Sequence, residues 1–181
     1  MRLMVLTTVK WTKPKLLINF CPKKPLMTHL NRLQEAIVSK EVPATTFSDA
    51  LRSLDLLKST LHAYNKGIAE AEDWIAQAFC MIGELQPAMH HCKASIEILE
   101  KLYGSNHIVI GYELMKLSSI QLSLGDTAAM KSISRLAAIF SWYYGPHADM
   151  MFPYLGSLKR EIANLFYEES FMLFLKWAIP S

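Results

Sequence analysis

Glycine is scarce in this chain, with seven among 181 residues, and proline contributes only eight. So few turn formers disfavour a loop-rich β-fold and suit a helical one. Cysteine is scarcer still: Cys21, Cys80 and Cys92 are an odd set without zinc-like spacing. That argues against a disulfide framework and for a reducing compartment. No Asn-x-Ser/Thr sequon occurs, so nothing points to secretion. Long apolar runs are missing too. Phe171 to Ile179 is interrupted by Lys176 and falls well short of the roughly 20 residues a membrane span needs. The brief apolar start is broken by Lys10, Lys13, Pro14 and Lys15 too soon for a secretory signal. Pro14 and a single arginine, Arg2, speak against a transit peptide. The expected location is intracellular, in cytoplasm or nucleus.

Acidic residues are absent from residues 1–25, which carry six positive charges at Arg2, Lys10, Lys13, Lys15, Lys23 and Lys24. The rest of the chain holds 13 basic and 16 acidic side chains, so the net charge of +3 resides in that one arm. Pro14, Pro22 and Pro25 make the arm irregular. The body offers no phosphate-binding face, and no nucleic-acid partner is expected.

What is present is apolar residue at helical spacing: 51% of the chain is hydrophobic and 19% charged, which excludes wholesale disorder. Between Ala71 and Tyr144 the chain reads as one unit written twice, each copy two helices joined by a turn. Gly83 and Gly125 at the inner turns are 42 residues apart, and Gly104 and Gly145 at the outer ends are 41 apart. Repetition at that length is the mark of a helical solenoid. Trp74, Ile75, Ala78, Phe79 and Ile82 form one apolar face, and Ala88, Cys92, Ile96 and Leu99 another. Ile110, Leu114, Leu117 and Leu124 are the spine of the third helix, and Ile133, Leu136 and Phe140 that of the fourth.

Ahead of the repeats, Thr28 is a candidate helix cap before Leu30, Leu33 and Ile37, and Thr46 or Ser48 before Ala50, Leu54, Leu57, Leu61 and Tyr64, with Gly67 near the end of that helix. Asn106, and Asp126 or Thr127, are the expected caps inside the second copy. Asp149 to about Tyr167 reads as a lone closing helix, and residues 168–181 as an apolar tail. The expected organisation is an irregular arm over 1–25, an all-α helical-hairpin solenoid with a capping helix over 26–167, and the tail.

Few residues invite chemistry. Cys80, His90, His91 and Cys92 contain three neighbours on one helix, which point about 100° apart and cannot all converge on a metal. Buried thiols beside surface histidines are the expectation. Glu70, Glu72 and Asp73 read as a solvated helix start that complements the dipole. Trp74, Tyr112, Trp142, Tyr143 and Tyr144 read as core, with a groove for a peptide as the alternative. No catalytic, cofactor-binding or metal-binding residue is expected. If the first helix of each pair faces a concave groove, Gln77, Tyr112, Lys116 and Ser119 line it, for a protein or peptide partner.

The stretch Trp74-Ile-Ala-Gln-Ala-Phe-Cys-Met-Ile-Gly83, then Ala88, then Ile98-Leu-Glu-Lys-Leu-Tyr-Gly104-Ser-Asn-His107, resembles a long tetratricopeptide repeat. Gly125-Asp126 and Tyr144-Gly145-Pro146-His147 are similar, with His147 one residue out of step and Met130 in place of the small Ala88. Residues 30–165 further resemble the C-terminal helical region of SET and MYND domain-containing lysine methyltransferases, in their tetratricopeptide-bearing form. His91 through Gly104 and Gly111-Tyr-Glu-Leu-Met-Lys-Leu-Ser119 carry this. The resemblance implies S-adenosylmethionine and zinc for the SET and MYND parts, whose motifs are not in this sequence; Asn106-His107 is followed by Ile-Val and sits in a repeat turn. The expected function is a non-catalytic interaction module from the C-terminal part of such an enzyme. The alternative is a substrate-access and regulatory domain, active only with a SET domain.

Overall fold

The structure is a computed structural model that describes residues 24–164. These fold into helices α1 (Lys24–Ser39), α2 (Ala44–Thr60), α3 (Lys66–Met81), α4 (Leu85–Tyr103), α5 (Ile108–Ser123) and α6 (Ala129–Tyr144), a 3-10 turn Gly145–His147, and α7 (Ala148–Met151). A last helix, α8, runs over 153–164. No strand occurs among the described residues. The expected all-α, helical-repeat arrangement is what the chain adopts: α3 packs on α4, α4 on α5 and α5 on α6.

The repeat is visible in the backbone. At Gly83 and Gly125 φ is +83° and +67°, a region glycine enters at little cost. Around each, two hydrogen bonds close the preceding helix: Gly83 N–H to the Cys80 carbonyl and Glu84 N–H to that of Phe79, then Gly125 N–H to Leu122 and Asp126 N–H to Gln121. This is the Schellman arrangement, which satisfies the last free carbonyls of a helix. The outer ends match as well, Gly104 N–H reaching the Glu100 carbonyl and Gly145 N–H that of Ser141. Pro87 lies in the first turn of α4, where its missing N–H costs nothing.

Two hydrophobic cores share α3. The larger gathers α4, α5, α6 and α8 around Leu114, Leu136, Phe140, Leu155 and Leu158, with Ala69 and Ala76 from α3. The smaller joins Leu30 and Leu33 of α1 and Leu54 and Leu57 of α2 to Ile68, Ala71, Ile75 and Ala78 of α3. Phe79 and Ile98 pack against both.

Several local expectations change. The first helix starts at Lys24, so Thr28 lies inside it rather than capping it, and Pro25 belongs to its first turn rather than to an irregular arm. Pro43 occupies the cap position of α2 and makes no side-chain bond, so Thr46 and Ser48 are helical. That helix ends at Thr60, and Gly67 belongs to α3, whose cap is Asn65 accepting from the Gly67 N–H at 2.8 Å. His107 replaces Asn106 as the cap of α5, its Nδ1 accepting from Val109 N–H. Asp126 Oδ1 accepts from Ala128 N–H just ahead of α6. The closing helix is broken at Phe152, because the Pro153 ring disfavours helical backbone in the residue before it. The tail over 168–181 and residues 1–23 lie outside the described residues.

Candidate functional site

Helix α3 carries two consecutive acids, Glu72 and Asp73, in its second turn. Expected at a solvated helix start, they are instead 0% and 1% exposed. The helix begins at Lys66, so both lie past its first turn, and the apolar stripe of Ile68, Ile75 and Ala76 carries Glu72 inward with it. A buried carboxylate must be compensated. Glu72 Oε1 lies 2.6 Å from Nζ of Lys58 on α2, and its Oε2 lies 2.5 Å from Nδ1 of His91 on α4. Asp73 turns the other way, to Nζ of Lys116 on α5. The same ammonium reaches Glu113 Oε2 at 2.5 Å, and Gln77 Nε2 donates to Asp73 Oδ2 at 3.0 Å. Two clamps thus meet back to back on α3, tying it to α2, α4 and α5.

Electrostatics follow from this geometry. Burial disfavours a charged Glu72, but hydrogen bonds from His91 and Lys58 outweigh it and hold the carboxyl below its ordinary value. Burial likewise disfavours a charged Lys116, yet Asp73 and Glu113 push its ammonium well above the usual lysine range. The Cys80 thiol is pushed up to about 11 by burial, and Cys92 further in the same direction. Both are therefore poor nucleophiles at neutral pH.

The four expected groove residues all lie on α3 and α5 and all have partners within the chain. Gln77 goes to Asp73 and Lys116 to both acids. The Tyr112 hydroxyl meets that of Tyr144 at 2.9 Å, and Ser119 Oγ meets the hydroxyl of Tyr154 on α8 at 2.5 Å. Lys116 is 12% exposed at its side chain, so its charge is committed to the interior. Tyr112 also sits in an aromatic cluster with Phe140, Tyr144 and Phe152, ring centroids 4.6 to 6.4 Å apart. Burial pushes its phenol up to about 12, helped by the bond to Tyr144. Trp74 packs against the smaller core, whereas Trp142 is 85% exposed and Tyr143 is also exposed.

The His and Cys set does not converge. His91 is not the surface residue expected: its ring faces Glu72 and stacks on Phe79 at 5.4 Å. Cys92 is buried with its thiol toward the Glu113 carbonyl, Cys80 is half-buried and His90 is exposed. These side chains do not fit a shared zinc ion.

No protein-family model matches the chain. The chain is similar to protein-lysine N-methyltransferase SMYD4. Against the mouse protein it is 25% identical over 138 residues, covering 72% of this chain and 17% of that protein. Against the chicken protein it is 32% identical over 85 residues, covering 46% of this chain and 12% of that protein. The chain thus spans less than a fifth of either relative, and what it shares with them is a relation to a methyltransferase rather than a demonstrated activity.

Sequence reasoning missed Lys58, Glu72, Asp73, His91 and Glu113 as a connected set. A signal existed: Glu113 and Lys116 lie within a helix that is apolar nearly all round, where a charge has little chance of reaching water. Their partners, 43 residues away or on other helices, carried no such signal.

Proposed function

We propose that this chain is a non-catalytic, tetratricopeptide-like interaction module, corresponding to the C-terminal helical region of a SET- and MYND-type lysine methyltransferase. The observation that carries this reading is how the buried charges are used. Glu72 is held by Lys58 and His91, and Lys116 bridges Asp73 and Glu113, so each of these buried carboxylates has its partners within the chain, and each set joins different helices. Charges spent on holding helices in place brace a surface rather than perform proton transfer on a substrate. Similarity to the SMYD4 proteins over 138 residues supports the family relation. The partner is a protein or peptide that meets the α3–α5 face, where Gln77, Tyr112 and Ser119 remain part-exposed while Lys116 props the face from beneath.

A second reading follows from the same similarity. Next to a SET domain, this face walls the substrate cleft and tunes access to it. S-adenosylmethionine and zinc belong to such a neighbour, and the side chains described above supply no site for either.

One set of measurements tests both readings. The chain alone, given S-adenosylmethionine and lysine-containing peptides, is expected to transfer no methyl group; turnover would overturn the non-catalytic assignment. Gln77→Ala combined with Ser119→Ala should weaken capture of the cellular partner about tenfold with helicity unchanged. Undiminished capture would remove the α3–α5 face from the reading.

A further inference from the structure

The α1–α2 hairpin builds the smaller core together with α3. It packs on itself and on α3, and its contacts to the larger core pass through α3 and the two shared side chains Phe79 and Ile98. Its rim bears two specific fastenings. Phe47 of α2 meets Phe79 edge-on at 4.8 Å, and Lys58 near the end of α2 reaches Glu72 at 2.6 Å. The other oxygen of Glu72 is held by His91 of α4, so one buried carboxylate is shared between the hairpin and the repeat body. The connection from α2 to α3 is five residues, 61–65, without helix. Lys58 differs from Lys116 in that its side chain is 46% exposed, while its partner Glu72 is 1% exposed. The cation can swing into water; the anion cannot.

We propose that the α1–α2 hairpin is a latch that opens from the repeat body as a unit, swinging on residues 61–65 and fastened by the Lys58–Glu72 ion pair. Release leaves Glu72 to His91 alone and uncovers the apolar face of α3 that Ile68, Ala71, Ile75 and Ala78 present to α1 and α2. The body survives opening because its own core, from Ala69 to Leu158, contains no residue of α1 or α2. Proteins open sub-globally in contiguous cooperative units of this kind, often supersecondary motifs such as a helical hairpin.

Amide hydrogen exchange on the full chain tests the latch. In the unmodified protein the amides of α1 and α2 should exchange together and faster than those of α4, α5 and α6. Lys58→Met keeps the aliphatic stem and removes only the charge, at a half-exposed position that puts folding at little risk. It should speed exchange of α1 and α2 about tenfold, as for loss of one charged hydrogen bond, with α4 to α6 unaltered. Equal exchange across all helices would overturn the separate unit. Unchanged hairpin exchange in Lys58→Met would overturn the ion pair as its fastening. A Phe47→Leu variant provides the comparison: it loosens the rim without touching charge, and should speed the same amides and no others.

Discussion

Lys116 illustrates what a single side chain decides here. Its ammonium lies between Asp73 and Glu113, and both acids are essentially buried. Burying three charges is costly, and the cost is recovered only while all three are together. Lys116→Met should therefore destabilise the fold by about 3–5 kcal/mol in urea unfolding, since it strands two carboxylates rather than one bond. Glu72 makes a different prediction because its folded carboxyl lies below the ordinary value of 4.5. A depressed carboxylate adds stability that is complete above the unfolded value and is lost as pH falls through the folded one. Stability measured from pH 6 downward should thus fall below about 4.5, and Glu72→Gln should flatten that acid limb while lowering the plateau above it.

At the scale of helices, α6 packs on α5 where Gly111 has no side chain. A Cβ built there would lie 2.5 Å from Cε1 of Phe140, a ring that is itself fully buried. The ring cannot yield, since Tyr112, Tyr144 and Phe152 surround it. Gly111→Ala should cost about 1–3 kcal/mol by thermal unfolding, and Phe140→Leu in the same chain should return part of it. Gly111 opens a stretch that carries the family resemblance, but nothing local in the sequence showed that a ring would press against it. The four glycines at helix ends were different: their spacing announced the repeat before any coordinate did. Caps were less legible. Thr28, Thr46 and Asn106 are good cap residues in composition, yet Pro25, Pro43 and His107 stand where the helices begin. Several residue types satisfy the same terminal N–H groups, so the choice among them is made by where tertiary packing places the turn.

At the scale of the molecule, the described residues form a helical repeat body with a helical hairpin seated on its first helix. Helix periods, the paired glycines and the expected cores at Leu54, Ile75, Leu114 and Phe140 could all be read along the chain, because each is a local pattern of period or turn chemistry. The break at Phe152 could have been read too, from Pro153 alone. Gln77, Tyr112, Lys116 and Ser119, the residues expected to line a groove, lie on α3 and α5. Tyr112, Lys116 and Ser119 are each bonded to a residue whose nearness depends on how helices cross. What the residues settled unaided was that this chain folds as helices in repeating pairs, for helical periodicity and glycine turns need no distant partner. What only the packed structure decided was which charges go inside. Glu72 and Asp73 look alike on paper to any acids early in a helix, and it is the arrival of Lys58, His91 and Lys116 from other helices that makes their burial affordable.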